Sequence, residues 1–196
     1  MTFVETIPED DASGDVNKLY EADRATFGDV PNFLKAFSLR PGVYAAWRGL
    51  NAEIKGGMDL RRYELTTLAA ARRLRSSYCT LAHGSVLVDK FLEPDALRAV
   101  VADHRTAGLD PVDVAVMDLT DKVADDASSV SEADIEGLRS LGLSDPEIFD
   151  VIAATAARCF FSKMLDGLGA QPDGRYVELD PQLRHALTVG RPIADP

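Results

Sequence analysis

Residues 64–87, ELTTLAAARRLRSSYCTLAHGSVL, decide the fold of this chain. The stretch reads as the body of two consecutive helices, about 60–75 and 77–91, and it holds a carboxylate, a hydroxyl, a thiol and an imidazole: Glu64, Ser76, Cys79 and His83. At about 100° per residue, Ser76, Cys79 and His83 fall at relative angles of about 0°, 300° and 340°. They share one narrow stripe, with His83 one turn beyond Cys79, where i and i+4 side chains meet. With Ser76 or Ser77 as N-cap, Cys79 sits in the first helical turn, where the helix dipole favours a thiolate. An imidazole one turn away eases the loss of the thiol proton further.

Outward from this pair, nearly every segment has the apolar period of a helix. Residues 14–27 place Val16, Leu19, Tyr20 and Phe27 on one face, and Pro31 opens a helix over 31–39 that buries Phe33, Leu34 and Phe37. Pro41 starts a longer helix through Val43, Tyr44, Trp47 and Leu50, which Gly56-Gly57 ends. Glu93-Pro94-Asp95 begins a short helix that Gly108 stops, and Pro111 leads into one through Val114, Met117, Leu119 and Val123. Ser131 with Asp134 resembles a capping box, and Gly142 closes that helix. Ser144 caps the last long helix, from Pro146 through Ile148, Val151, Ile152, Phe160, Phe161, Met164 and Leu165 to Gly167 and Gly169. The tail beyond 170 reads as an extended arm with one short helical turn, too apolar for plain disorder. No stretch alternates as a strand, so the predicted class is all-α.

At 196 residues, 46% apolar and 27% charged, the chain suits one soluble domain: an N-terminal arm (1–13), a helical core (14–170) and a C-terminal tail (171–196). The acidic start shows no secretory signal, and no apolar run approaches the roughly 18–20 residues of a membrane span. A formal net charge of −11 argues against nucleic acid as a partner. The arginines of 61–75 read as a solvated helix face. Two distant cysteines, Cys79 and Cys159, give no disulfide framework and fit a reducing cytoplasm.

Taken singly, the motif residues have plain structural explanations. Glu64 lies beside Leu68, Ala69, Ala70 and Ala71, a surface suited to close packing, where an ionised carboxylate needs a partner. An isolated cysteine is usually buried and inert, and a lone histidine is usually a satisfied core residue. No C-x-x-C or second nearby histidine completes a zinc set, so neither a metal nor another cofactor is expected. His104 and His185 look like surface residues, Cys159 looks like core, and Tyr63 and Tyr78 flank the motif.

The spacing E-x11-[C/S]-x2-C-x3-H resembles that of the alkylhydroperoxidase D-like, or carboxymuconolactone decarboxylase, superfamily, and within it the peroxidase-related enzymes. The resemblance runs from about residue 14, through VSEADIEGLRSLGLSDPEIFD (130–150), to VGRPI (189–193). It implies an all-α subunit assembling as a dimer or a trimer of dimers. It implies Cys79 as the thiol that attacks a hydroperoxide, with Glu64 and His83 relaying protons. Ser76 stands where the resolving cysteine belongs, which excludes a self-contained disulfide cycle and calls for an external thiol reductant. Ser76 and Tyr78 are then supporting residues.

Three readings stay open on sequence. One is a thiol-dependent peroxidase acting on a small hydroperoxide. The second is a decarboxylase-like lyase using Glu64 and His83 as acid and base. The third is a non-catalytic homo-oligomer in which the motif survives as packing.

Overall fold

The computed structural model describes residues 2–195; the Phe27 side chain, part of the expected face of 14–27, lies outside what is described. Ten α-helices follow one another among the described residues, with no strand. They are α1 (Gly14–Phe27), α2 (Asn32–Ala36), α3 (Pro41–Gly57), α4 (Leu60–Arg73), α5 (Ser77–Lys90), α6 (Pro94–Asp103), α7 (Pro111–Asp126), α8 (Glu132–Ser140), α9 (Asp145–Leu168) and α10 (Pro181–Leu187).

Helix α4 is the axis of the packing. It runs against α5, α7 and α9, and its residues 63–71 are all buried. The Ala69-Ala70-Ala71 segment explains this, because side chains of a single methyl let neighbouring backbones approach closely. The arginines of α4 are not the solvated face that the sequence suggests. Arg62 reaches Glu147 of α9 at 2.8 Å and Arg72 reaches Asp121 of α7 at 2.8 Å, while Arg61 and Arg73 pair with Asp113 and Asp125 of α7. An acidic α7 beside a basic α4 turns both faces into an interhelical seam.

Local signals set the helix ends. Pro41, Pro94, Pro111 and Pro181 sit in first turns, where a missing N–H leaves no bond unmade. Capping boxes close reciprocally at Ser131 with Asp134 and at Ser144 with Glu147. The aspartate version therefore works as the longer carboxylate does. Three expectations need correction. The helix expected over 31–39 spans only Asn32–Ala36, because Ser38 turns inward to accept the Ile7 amide at 2.9 Å. The tail is more helical than an arm with one turn: a 3-10 segment, Gly174–Glu178, precedes the two-turn α10, whose N-cap Asp180 accepts from two backbone amides. His104 is not a surface residue. It is 1% exposed, accepts from Arg72 at Nδ1 and donates from Nε2 to Asp118.

The expected apolar faces of α3 and α9 are only partly buried. Tyr44 and Ile54 of α3 go into the core, but Val43 and Leu50 stay exposed, as does Phe160 of α9. These side chains line an apolar groove between the two helices. The tail returns to the α4–α5 turn. Gly190 donates its amide to Ser77 Oγ at 2.7 Å, and a Cβ at this glycine would collide with the Arg75 carbonyl.

Candidate active site

The site begins with the turn between α4 and α5. Arg75 adopts a left-handed conformation with φ 57°, which reverses the chain within a few residues and makes the two helices an antiparallel hairpin. Glu64 lies eleven residues before this turn and His83 eight after it, so the hairpin sets them side by side. Glu64 is 1% exposed, and its Oε2 accepts from His83 Nδ1 at 2.6 Å. Its other oxygen accepts from Lys55 Nζ of α3 at 3.2 Å. Burial pushes the Glu64 carboxyl up, but the hydrogen bonds from His83 and Lys55 and the Lys55 charge work against it, and the net shift is downward. Glu64 is therefore a carboxylate.

Burial, with the Arg158 charge adding to it, pulls His83 down to about 4 despite Glu64. The imidazole is neutral at pH 7. The bond to a carboxylate assigns its proton to Nδ1, which leaves the Nε2 lone pair available as a base.

Ser76 is the N-cap residue of α5, without a side-chain capping bond, and Cys79 is third in the helix. The backbone amides of this first turn give the sulfur a positive local field. Cys79 is 2% exposed, yet it lines a cavity of about 240 Å³ together with His83. Arg158 of α9 reaches its Sγ from Nη1 at 3.6 Å and Tyr63 Oη from Nη2 at 3.5 Å. The guanidinium also lies over the rings of Phe161 and Trp47. A buried cation needs a counter-charge, and a thiolate at Cys79, which Arg158 touches, would supply one.

Rings make up most of the remaining wall. Trp47 of α3 stacks on Phe161 of α9 with centroids 4.1 Å apart. Tyr176 from the tail and Phe33 from α2 also line the cavity. Tyr78 also borders the cavity, but its hydroxyl is committed: it donates to Asp173 at 2.5 Å and accepts from the Phe33 amide at 3.1 Å. Burial raises the Tyr78 phenol strongly, with Asp173 adding to it. Tyr78 thus braces the tail against α5.

The structure therefore brings Glu64, Cys79 and His83 to one cavity. Ser76 is fully buried beneath the turn and is not part of the cavity wall. Cys159 is half-buried, unpaired, held upward by burial, and likewise outside the wall. No group of three or more possible metal ligands exists among the described residues. Sequence reasoning missed Arg158, Lys55 and Trp47 as site residues. A signal for Arg158 was present: it occupies the same helical face as the buried Ala154, Phe161 and Leu165, where a charge is out of place unless something inside the protein needs it.

No family model matches the chain, and no curated protein matches it. Solved structures do. A crystal structure described as the alkylhydroperoxidase AhpD core, an uncharacterized peroxidase-related protein from Ralstonia eutropha JMP134, superposes with a TM-score of 0.79 at 22% identity, covering 97% of this chain and 98% of that one. A peroxidase-related protein from Silicibacter sp. TM1040 gives 0.75 at 22% identity over 89% and 91%. The debrominase Bmp8, a cysteine-to-alanine variant in complex with 2,3,4-tribromopyrrole, gives 0.72 at 13% identity over 95% and 96%. The fold is that of the AhpD-like peroxidase-related proteins.

Proposed function

We propose that the protein is a thiol-dependent oxidoreductase that reduces hydroperoxides at Cys79. One observation carries the reading: a cysteine in the first turn of a helix shares a ring-lined cavity with a neutral, carboxylate-held imidazole and a buried guanidinium that touches its sulfur. In the first step His83 Nε2 takes the thiol proton, and Arg158 and the helix amides stabilise the thiolate. The sulfur attacks the terminal peroxide oxygen, an S–O bond forms as the O–O bond breaks, and the leaving alkoxide takes the proton back from His83. The products are an alcohol and the Cys79 sulfenic acid. Ser76 cannot form a disulfide, so a thiol reductant from outside condenses with the sulfenic acid, releasing water. A second reductant thiol then frees Cys79 as the reductant leaves as its disulfide. Such a cycle suits a reducing compartment such as the cytoplasm.

A homo-oligomer built from a dimer belongs to the same reading, and the exposed Val43, Leu50 and Phe160 support it. The test is peroxide consumption with a dithiol reductant. The expected result is turnover that vanishes in Cys79→Ser and is kept in Cys159→Ser. Turnover unaffected by Cys79→Ser would overturn the reading.

A second reading is favoured by the ring-lined wall and by the debrominase that shares the fold. In it, the Cys79 thiolate attacks the halogen of a halogenated aromatic ring, the ring carbon takes the His83 proton, and an external thiol displaces halide from sulfur. Halide release from a bromoaromatic in the absence of peroxide reduction would select it.

A further inference from the structure

The chain carries a net charge of −11, yet the cavity at Cys79 has the opposite character. Lys55, Arg158 and Arg175 line it, and none of its described lining residues is an aspartate or glutamate. The nearest acids are already engaged: Glu64 with His83 and Lys55, and Asp173 with Tyr78, Arg175 and the Asn32 amide. Arg158 is 4% exposed and has no carboxylate partner among the described residues, and its Nε is buried without a hydrogen-bond partner. A protein with 32 acidic side chains sets none of the described ones against this guanidinium, whose partners are the Cys79 sulfur and the Tyr63 hydroxyl.

Shape narrows the ligand. The cavity measures about 240 Å³, whereas an apolar cavity of about 150 Å³ holds a benzene molecule. One ring with a substituent fits. The walls are ring faces and edges, with Trp47 stacked on Phe161 and Tyr63 set edge-on to His83. Such surfaces favour a flat aromatic partner. Exposed Lys55 and half-exposed Arg175 stand where the cavity meets solvent, so they draw an anion towards the deeper Arg158.

We infer that this cavity is the binding site for a single-ring aromatic oxyanion, an aryl carboxylate or phenolate, whose charged oxygen sits on Arg158 and whose ring lies against Trp47 and Phe161. The inference names the ring and charge that a substrate of the site proposed above would carry beside its reacting group, and it rests on that site being the one that takes substrate. Its test is a binding measurement that requires no turnover, so the ligand class and the thiol chemistry can fail separately.

Trp47 is the sole tryptophan of the chain, and its fluorescence reports directly on the cavity. Benzoate titrated into Cys79→Ser protein is expected to change that emission saturably. Cyclohexanecarboxylate, which keeps the charge without the ring face, and benzyl alcohol, which keeps the ring without the charge, are each expected to bind at least tenfold more weakly. Arg158→Gln is expected to weaken benzoate by at least tenfold and leave benzyl alcohol unchanged. If that variant does not fold, the benzoate to benzyl alcohol ratio in the Cys79→Ser protein decides the charge question alone. A non-saturable benzoate signal would overturn the inference. So would equal binding of benzoate and benzyl alcohol, or of benzoate and cyclohexanecarboxylate.

Discussion

Arg158 sits 3.6 Å from the Cys79 sulfur and helps hold His83 neutral, so its removal should act twice. Arg158→Gln is expected to slow alkylation of Cys79 by iodoacetamide at pH 7 by tenfold or more, because the thiolate loses its nearest cation. The same substitution should raise the His83 pKa, read from imidazole shifts in an NMR titration. His83 also links stability to pH. Its pKa is about 4 in the folded protein against an ordinary 6.5, so between these values the unfolded chain binds a proton that the folded one refuses. Stability on this account is complete above pH 6.5 and falls as the pH drops towards 4, by about 3 kcal/mol. Glu64, held below its ordinary value, adds a loss of the same sign at still lower pH. Denaturant unfolding from pH 7 to 4 should show the decline, and His83→Gln should flatten its upper part. A curve unchanged by that substitution would contradict the proton accounting at this residue.

At the scale of elements, the α4–α5 hairpin carries the site and the tail fixes the hairpin. Gly190→Ala would drive a methyl group into the Arg75 carbonyl. It is expected to cost about 1–3 kcal/mol, read as a lowered thermal midpoint, with a loss of Cys79 reactivity because Ser77 and the first turn of α5 move with it. Ser144→Ala removes one half of a capping box at the start of α9 and should cost about 1 kcal/mol without touching the chemistry. The hairpin was legible in the sequence because its signals are local: the helical period, the serine at the cap, and a helix break between residues 64 and 83. What the sequence hid depends on distant partners. Arg158 meets a sulfur 79 positions away. His104 reads as surface until Arg72 and Asp118 arrive from α4 and α7. The arginines of α4 read as solvated because the acids they meet belong to other helices. The tail reads as an arm because its prolines and glycines mask helical segments that docking stabilises, as where Leu187 packs onto Gly84 of α5.

For the whole molecule, an acidic exterior surrounds a cavity lined by cations. The surface charge keeps copies soluble, while the groove between α3 and α9 leaves Val43, Leu50 and Phe160 open to water. A homo-oligomer should therefore be seen by light scattering, and Leu50→Glu is expected to lower the mass to that of a single chain of 21.2 kDa. A wild-type mass already equal to one chain would contradict this assembly. The central claim concerns the sulfur itself, and trapping its first product tests it most directly. After one equivalent of an organic hydroperoxide, dimedone followed by peptide mass spectrometry should find the sulfenic-acid adduct on Cys79, with Cys159 unmodified and the adduct much reduced in Arg158→Gln. An unmodified Cys79 beside unconsumed hydroperoxide would contradict the account.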